Sequence, residues 1–330
     1  MINIRNKSNI SRNEDIDFYK GILMWGVIYG HMIKGINVSF NFDSDFLYAF
    51  IRIFDMPFFM ILSGYFLNKS IKKKTTIALV WNRTNTILMP ILIWTLISGQ
   101  LSYNKFYFLW AVYASSLICI FSRKVTSMLP NYKIRIFTEY LIYILFIGIT
   151  YFYYIPWNMF YLFPFFIIGL SLKKISVKME HKNIILLLFA IGLCFWKSKY
   201  TPWETNWNVW REHSEAIIIY VYRFILAILG VFVMTKVLSH LKNIFNGKKI
   251  ILCGRETLAI YILQAFIVER FFTNALYFLA TKNTFHFNQS EMNLIGFILC
   301  PLGALAILYS LYTVIVILKQ NKYTKWVFGF

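Results

Sequence analysis

The chain has 330 residues, 58% of them hydrophobic and 15% charged, with a mean hydropathy of +0.58. A soluble domain of this length needs more polar surface than that composition provides. The net charge of +20 does not mark a nucleic-acid binder, because Lys and Arg fall in short clusters between apolar runs rather than along one folded face.

The expected fold is all-α, a polytopic integral membrane protein of about ten helices, each needing about 20 apolar residues to cross the hydrocarbon core. The apolar runs fall near 16–33, 46–68, 77–99, 106–122, 134–151, 156–172, 184–197, 216–238, 250–272 and 292–318. Residues 1–15 are polar and the first run leads into many more, so it reads as an anchor rather than a cleaved leader. Residues 16–318 then form one membrane domain, between an N-terminal segment, 1–15, and a C-terminal tail, 319–330. With the N-terminus placed inside, the inner segments hold 23 Lys and Arg and the outer segments 7. That asymmetry predicts cytoplasmic N- and C-termini in a bacterial inner membrane. Cys119, Cys194, Cys253 and Cys300 are widely spaced. Without CxxC or Cys/His spacing, neither a metal site nor a disulfide framework is expected.

Charged residues inside apolar runs are costly and mark function. The first run carries Asp17 and Lys20, three apart and able to pair on one helix face. His31 lies eleven residues beyond Lys20, close to three turns, so it shares that face roughly 16 Å further out. An imidazole titrates near neutrality and suits a general base, although His31 could equally cap an interface or bind headgroups. The second run carries Arg52 and Asp55 with the same spacing, then Pro57, a helix-kinking residue, and Ser63-Gly64, which permits close helix packing. Ser63 reads as a packing residue rather than a nucleophile. Arg83, Arg223, Glu256 and Gln264 are further polar groups in or beside the runs. His181, His213, His240 and His286 are expected in loops. The outer loop near 198–215 carries Trp203 and Trp207 amid mixed charge, which suits either a sugar-stacking face or an interfacial Trp belt.

Residues 15–31, with the pattern D-x-x-K-G-I-x-x-x-x-V-x-x-G-H, resemble the opening helix of the acyltransferase family 3 membrane proteins. So do Phe54-Asp55-Met56-Pro57-Phe58-Phe59 with Leu62-Ser63-Gly64-Tyr65-Phe66, and Arg83 followed by Ile87-Leu88-Met89-Pro90. The late segment from Gly254 through Thr257, Ile260 and Tyr261 to Gln264 resembles a fourth family motif. The four occur in family order. The sequence departs at Lys20, where the family often has Arg, and at Asp55 and Gln264, where it often has His. His31 is thereby left as the membrane histidine available for proton transfer. No segment resembles the SGNH-type esterase domain that some members append, so the chain resembles the stand-alone members.

The resemblance implies an enzyme that moves an acyl group, usually acetyl, from a cytoplasmic thioester donor such as acetyl-CoA to a glycan hydroxyl. Typical acceptors are bacterial O-antigen or capsule, free or on a lipid carrier. His31 would be the base, with Lys20 and Asp17 beside it in the catalytic set. Lys20, or Arg52 with Asp55, would position the donor or stabilise charge, and Arg83 would hold donor phosphate. Trp203, Trp207, Tyr261 and Gln264 would line the acceptor side. No permanently bound cofactor, metal or nucleic-acid partner is expected. A polysaccharide polymerase or flippase, or a multi-pass transporter, is the competing reading. Such a protein would favour a large outer loop or an internal repeat, and neither is visible in the sequence.

Overall fold

The structure, a computed structural model, describes residues 13–40, 45–98, 106–153, 158–172, 182–196, 216–244, 247–282, 287–321 and 324–328. Each of the ten apolar runs forms a helix, and no strand occurs among the described residues. The first two runs become α1 (Glu14–Phe40) and α2 (Asp45–Ile71), the latter unbroken through Pro57. The third run is α3 (Thr76–Arg83), a π-helical turn (Thr84–Leu88) and α4 (Met89–Ser98). There follow α5 (Tyr107–Thr126), α6 (Tyr132–Phe152), α7 (Met159–Ser171), α8 (Lys182–Cys194) and α9 (Ala216–Ile244).

The ninth run is α10 (Lys248–Arg255), α11 (Thr257–Phe266), a second π turn (Ile267–Phe272) and α12 (Thr273–Thr281). The last is α13 (Gln289–Leu294), a third π turn (Ile295–Leu299) and α14 (Cys300–Gln320). A short 3₁₀ turn, Lys325–Phe328, ends the described chain.

Among the described residues six helical stretches are long and apolar enough to cross a membrane, including Phe50–Ile71, Ile217–Ile244 and Ser290–Gln320. Met159–Ser171 and Asn183–Cys194 are shorter. The exterior agrees with a lipid-facing surface. Phe137, Ile144 and Leu145 on α6 and Ile218 and Ile225 on α9 are large, apolar and exposed, an arrangement that water would penalise.

α1 is the hub, packing against α2, α9, α10, α11, α12 and α14. Glycines set its closest approach. A Cβ on Gly21 would collide with the Ile250 carbonyl, and one on Gly254 with the Asp17 carbonyl. The α2–α7 pair, the most extensive helix–helix contact, works in the same way. A Cβ on Gly64 would strike the Phe166 carbonyl, and one on Gly169 that of Ile61. Small residues let backbones touch, and in lipid that van der Waals packing holds helices together. The Ser63 hydroxyl donates to the Phe59 carbonyl at 2.8 Å, consistent with a packing residue.

The C-terminal tail folds back onto the bundle. Phe328 is buried against Trp94 of α4, whose indole N–H donates to the Val327 carbonyl.

Candidate functional site

Two polar groups on α1 mark the two ends of the candidate site. At the N-terminal end, Asp17 is buried and sits 3.1 Å from Lys20 Nζ and 3.6 Å from Arg255 Nε. Ion pairs gather around it: Arg255 with Glu14, Lys242 with Asp15, and Lys319 with Glu256. The first two join the start of α1 to α10 and α9, and the third joins α14 to the junction of α10 and α11. Three turns along, His31 is 7% exposed, and its Nδ1 lies 3.3 Å from Glu269 Oε1.

Glu269 stands in the π turn Ile267–Phe272. A π turn inserts one residue per turn and re-aims the side chains beyond it, and such turns concentrate at functional sites. Here the re-aimed carboxylate faces the imidazole. A carboxylate at Nδ1 holds the ring proton there, leaves Nε2 as the acceptor of a substrate proton, and stabilises the imidazolium that results.

Arg52 and Asp55 lie beside this pair. Arg52 Nη1 donates to Asp55 Oδ2 at 2.8 Å, and the Met56 N–H donates to Asp55 Oδ1 at 2.6 Å. The two residues are only 2% and 1% exposed. The guanidinium lies against Gly30, where an added Cβ would be 3.4 Å from Arg52 Nη2, so it stands next to His31. Tyr261 of α11 is within electrostatic range of Arg52, Asp55 and Glu269. On the far side of α2, Asp55 acts in the same way on Tyr161, over whose ring the Arg223 guanidinium sits at 4.5 Å. A buried carboxylate and guanidinium persist in an apolar interior only with such partners.

A cavity lies along the N-terminal half of α1. It measures about 250 Å³ and is bounded by α1, α2, α3 with its π turn, α5 and α11. Its cations are Lys20 and Arg83, its walls include Phe59, Leu62 and Phe108, and it reaches Tyr261. Ser63 and Thr86 add hydroxyls to the wall. The cavity is therefore mostly apolar, with Lys20 and Arg83 as its cations and Tyr261, which feels the charges of Glu269, Arg52 and Asp55, in its wall. Residues 13–313 match the acyltransferase domain family.

The chain belongs to acyltransferase family 3. Among curated relatives of this family member, Nodulation protein NolL of Sinorhizobium fredii is 30% identical over 134 residues, 33% of this chain and 36% of that protein. Nodulation protein NolL of Mesorhizobium japonicum is 33% identical over 87 residues, 26% of this chain and 23% of that protein. The chain thus spans about a third and a quarter of these relatives' lengths. No solved structure matches.

Within this acyltransferase-family fold, the residues singled out in sequence fall into two groups. His31, Arg52, Asp55 and Tyr261 gather at one centre, while Lys20 and Arg83 are the cations of the cavity and Asp17 pairs with Lys20. Gln264, one turn beyond Tyr261, is 1% exposed, and its Oε1 has no hydrogen-bond partner among the described residues. Trp203 and Trp207 lie outside the described residues, as do His181, His213 and His286. His240 is not in a loop but in the last turns of α9, exposed.

Two acidic residues were missed in the sequence. Glu269 completes the centre. Glu139, inside the run 134–151, accepts from Arg123 Nε at 3.0 Å and from the Tyr143 hydroxyl at 2.7 Å, and Arg123 also donates to Asn68 at 3.1 Å. That cluster ties α2, α5 and α6 together. Both acids could have been found by scanning the runs for carboxylates as well as for histidines and cations.

Proposed function

We propose that this protein transfers an acyl group, acetyl in the simplest case, from acyl-CoA to a hydroxyl of a surface glycan such as O-antigen or capsule. The observation that carries the reading is the cavity running from Lys20 and Arg83 to Tyr261, beside the His31–Glu269 pair. Acyl-CoA has the matching shape. It presents phosphates at a bulky nucleotide end and a thioester at the tip of a narrow pantetheine arm. Lys20 and Arg83 would take phosphate or the polar arm, with Asp17 holding Lys20 in place. The aromatic walls would enclose the arm and deliver the thioester near Tyr261.

At that centre His31 Nε2 removes the proton of the glycan hydroxyl as its oxygen attacks the thioester carbonyl carbon. The developing oxyanion is stabilised by the Arg52 guanidinium or the Tyr261 hydroxyl. The C–S bond then breaks, the sulfur takes the electron pair, and the imidazolium returns its proton to the thiolate. Protons balance without an external acid or base. Glu269 keeps His31 in the tautomer this requires. The basic Lys20 end would face the cytoplasm, where acyl-CoA is made, and the His31 end would face the acceptor on the outer side.

The test is transfer of radiolabelled acetyl from acetyl-CoA to extracted surface glycan by purified protein in nanodiscs. Label on glycan is expected, and His31→Ala should lower the rate about 10²–10⁴-fold, the share a general base supplies, while leaving chromatographic behaviour unchanged. An active His31→Ala protein would remove His31 as the base. Absence of label with folded protein and a panel of acyl-CoAs would sink the reading.

A further inference from the structure

α1 separates two cavities. The first, described above, takes Lys20 and Met24 as its α1 wall. The second, about 240 Å³, takes Ile22, Trp25, Gly26 and Tyr29, which lie on another face of the same helix. Its remaining walls are Phe50, Ile51 and Phe54 of α2 and Met234 of α9. Asp55 is the carboxylate among its lining residues, and Asp55 is the partner of Arg52 at the reaction centre. The two cavities thus approach one centre from different flanks.

Three features define what the second cavity accepts. First, its α2 wall belongs to Phe50–Ile71, a stretch long and apolar enough to cross a membrane. Second, its α1 wall runs from Ile22 to Tyr29, roughly 10 Å of helix, along the direction in which a lipid chain would lie beside a membrane-spanning helix. Third, its wall is fixed. The Trp25 and Tyr29 rings stack with centroids 5.7 Å apart, the indole N–H donates to the Pro301 carbonyl, and the Tyr29 hydroxyl donates to the Gly296 carbonyl. The polar capacity of both rings is spent outside the cavity, leaving apolar faces. Ile22, Trp25, Phe50 and Met234 at its edge are only half-buried, so the cavity has an open side.

We propose that this second cavity binds the hydrocarbon chain of a lipid-linked acceptor, so that the glycan is acylated while on its lipid carrier. The proposal rests on the acyl-transfer reading and adds the acceptor's class to it. The chain would lie from Phe50 and Tyr29 down toward Met234. The attached sugar would then sit at the level of Arg52 and His31, two residues beyond Tyr29 on α1. An apolar slot leading to a buried Arg–Asp pair has no use for a soluble oligosaccharide, whose hydroxyls it could not satisfy.

Gly26 provides the handle. An added methyl there would meet Ile51 Cγ2 at 3.6 Å, an ordinary contact, whereas a larger side chain must project into the cavity. The probe is a diazirine-tagged polyprenyl phosphate incorporated in nanodiscs with the whole protein, cross-linked by light and mapped by mass spectrometry. Label is expected on Trp25, Phe50, Phe54 or Met234, and competition by unlabelled polyprenyl-linked oligosaccharide should remove it. Gly26→Leu should reduce this label about tenfold, and Gly26→Ala should retain it. If Gly26→Leu does not fold, Met234→Trp, which fills the cavity from α9, should give the same loss.

Label spread over the exposed faces of α6 and α9 and insensitive to these substitutions would overturn the proposal. So would competition by phospholipid but not by the polyprenyl-linked oligosaccharide. Transfer to lipid-free glycan is measured in parallel. If it persists while cavity labelling fails, the lipid site is wrong and the acyltransferase reading stands.

Discussion

In the proposed reaction His31 and Glu269 would divide one chemical task. An isolated imidazole in an apolar interior resists becoming charged, because desolvation penalises the imidazolium. A carboxylate 3.3 Å from Nδ1 offsets that penalty at the moment the ring accepts a proton. Glu269→Gln keeps the shape and a hydrogen bond but removes the charge. The rate of acetyl transfer should fall at least about a hundredfold with the KM for acetyl-CoA little changed, since Glu269 is remote from Lys20 and Arg83. A raised KM with unchanged kcat would move Glu269 into donor binding. Arg52 and Asp55 invite a test of stability. Removing one member of a buried ion pair strands the other, at a cost of about 3–5 kcal/mol, whereas replacing both with apolar residues is far milder. Asp55→Ala should therefore lower the unfolding midpoint in detergent by more than the double variant Arg52→Met with Asp55→Leu. Equal losses would mean that the guanidinium is held mainly by other groups. The spacing of these residues within their own helices was legible: Asp17–Lys20 and Arg52–Asp55 pair as three-residue spacing on a helix requires. The His31–Glu269 contact was not legible, because it joins helices far apart in sequence and nothing in the run 250–272 names the partner of Glu269.

At the scale of elements, the ten helices were legible because each apolar run is long enough to bury or to face lipid. The three π turns were not. They keep the helical composition and differ only in where one extra residue is accommodated, which is decided by the neighbours. One of them follows Arg83 and another carries Glu269, so Glu269, the acid that the composition of its run did not single out, stands in an irregular part of the helices. Close helix contact at Ser63-Gly64 was expected, but its partner Gly169 was not identifiable without the fold. Gly169→Ala places a methyl against the Ile61 backbone, where nothing can rotate away. The α2–α7 pair must separate, and a loss of at least about 1–3 kcal/mol is expected. Gly148→Ala on α6 is the control. A Cβ there meets nothing within 4 Å, so it should be neutral or stabilise by up to about 1 kcal/mol through helix propensity. Unfolding midpoints of the two variants decide the matter, and similar values would show that the α2–α7 crossing is looser than the structure has it.

At the scale of the whole molecule, function depends on which end of the bundle faces the cytoplasm. The Lys20–Arg83 end shares its side with the turns at 72–75 and 127–131, and the His31–Glu269 end with Lys282 at the end of α12. The segments expected inside hold 23 Lys and Arg against 7 in those expected outside, which is the asymmetry that would put the Lys20–Arg83 end in the cytoplasm. Lys73 and Lys282 are exposed on opposite ends and serve as reporters. Cys194 is exposed while Cys119, Cys253 and Cys300 are buried, so a Cys194→Ser background leaves little native thiol to react. In that background a membrane-impermeant maleimide should label Lys282→Cys in cells with a permeable outer envelope. It should label Lys73→Cys only in inverted vesicles. The reverse pattern would put the cation-lined cavity mouth on the side that lacks acyl-CoA. Lys20 and Arg83 could not then meet donor phosphate, and the donor would have to enter from the His31 end. The His31–Glu269 centre would survive such a result, but the path proposed to supply it would not.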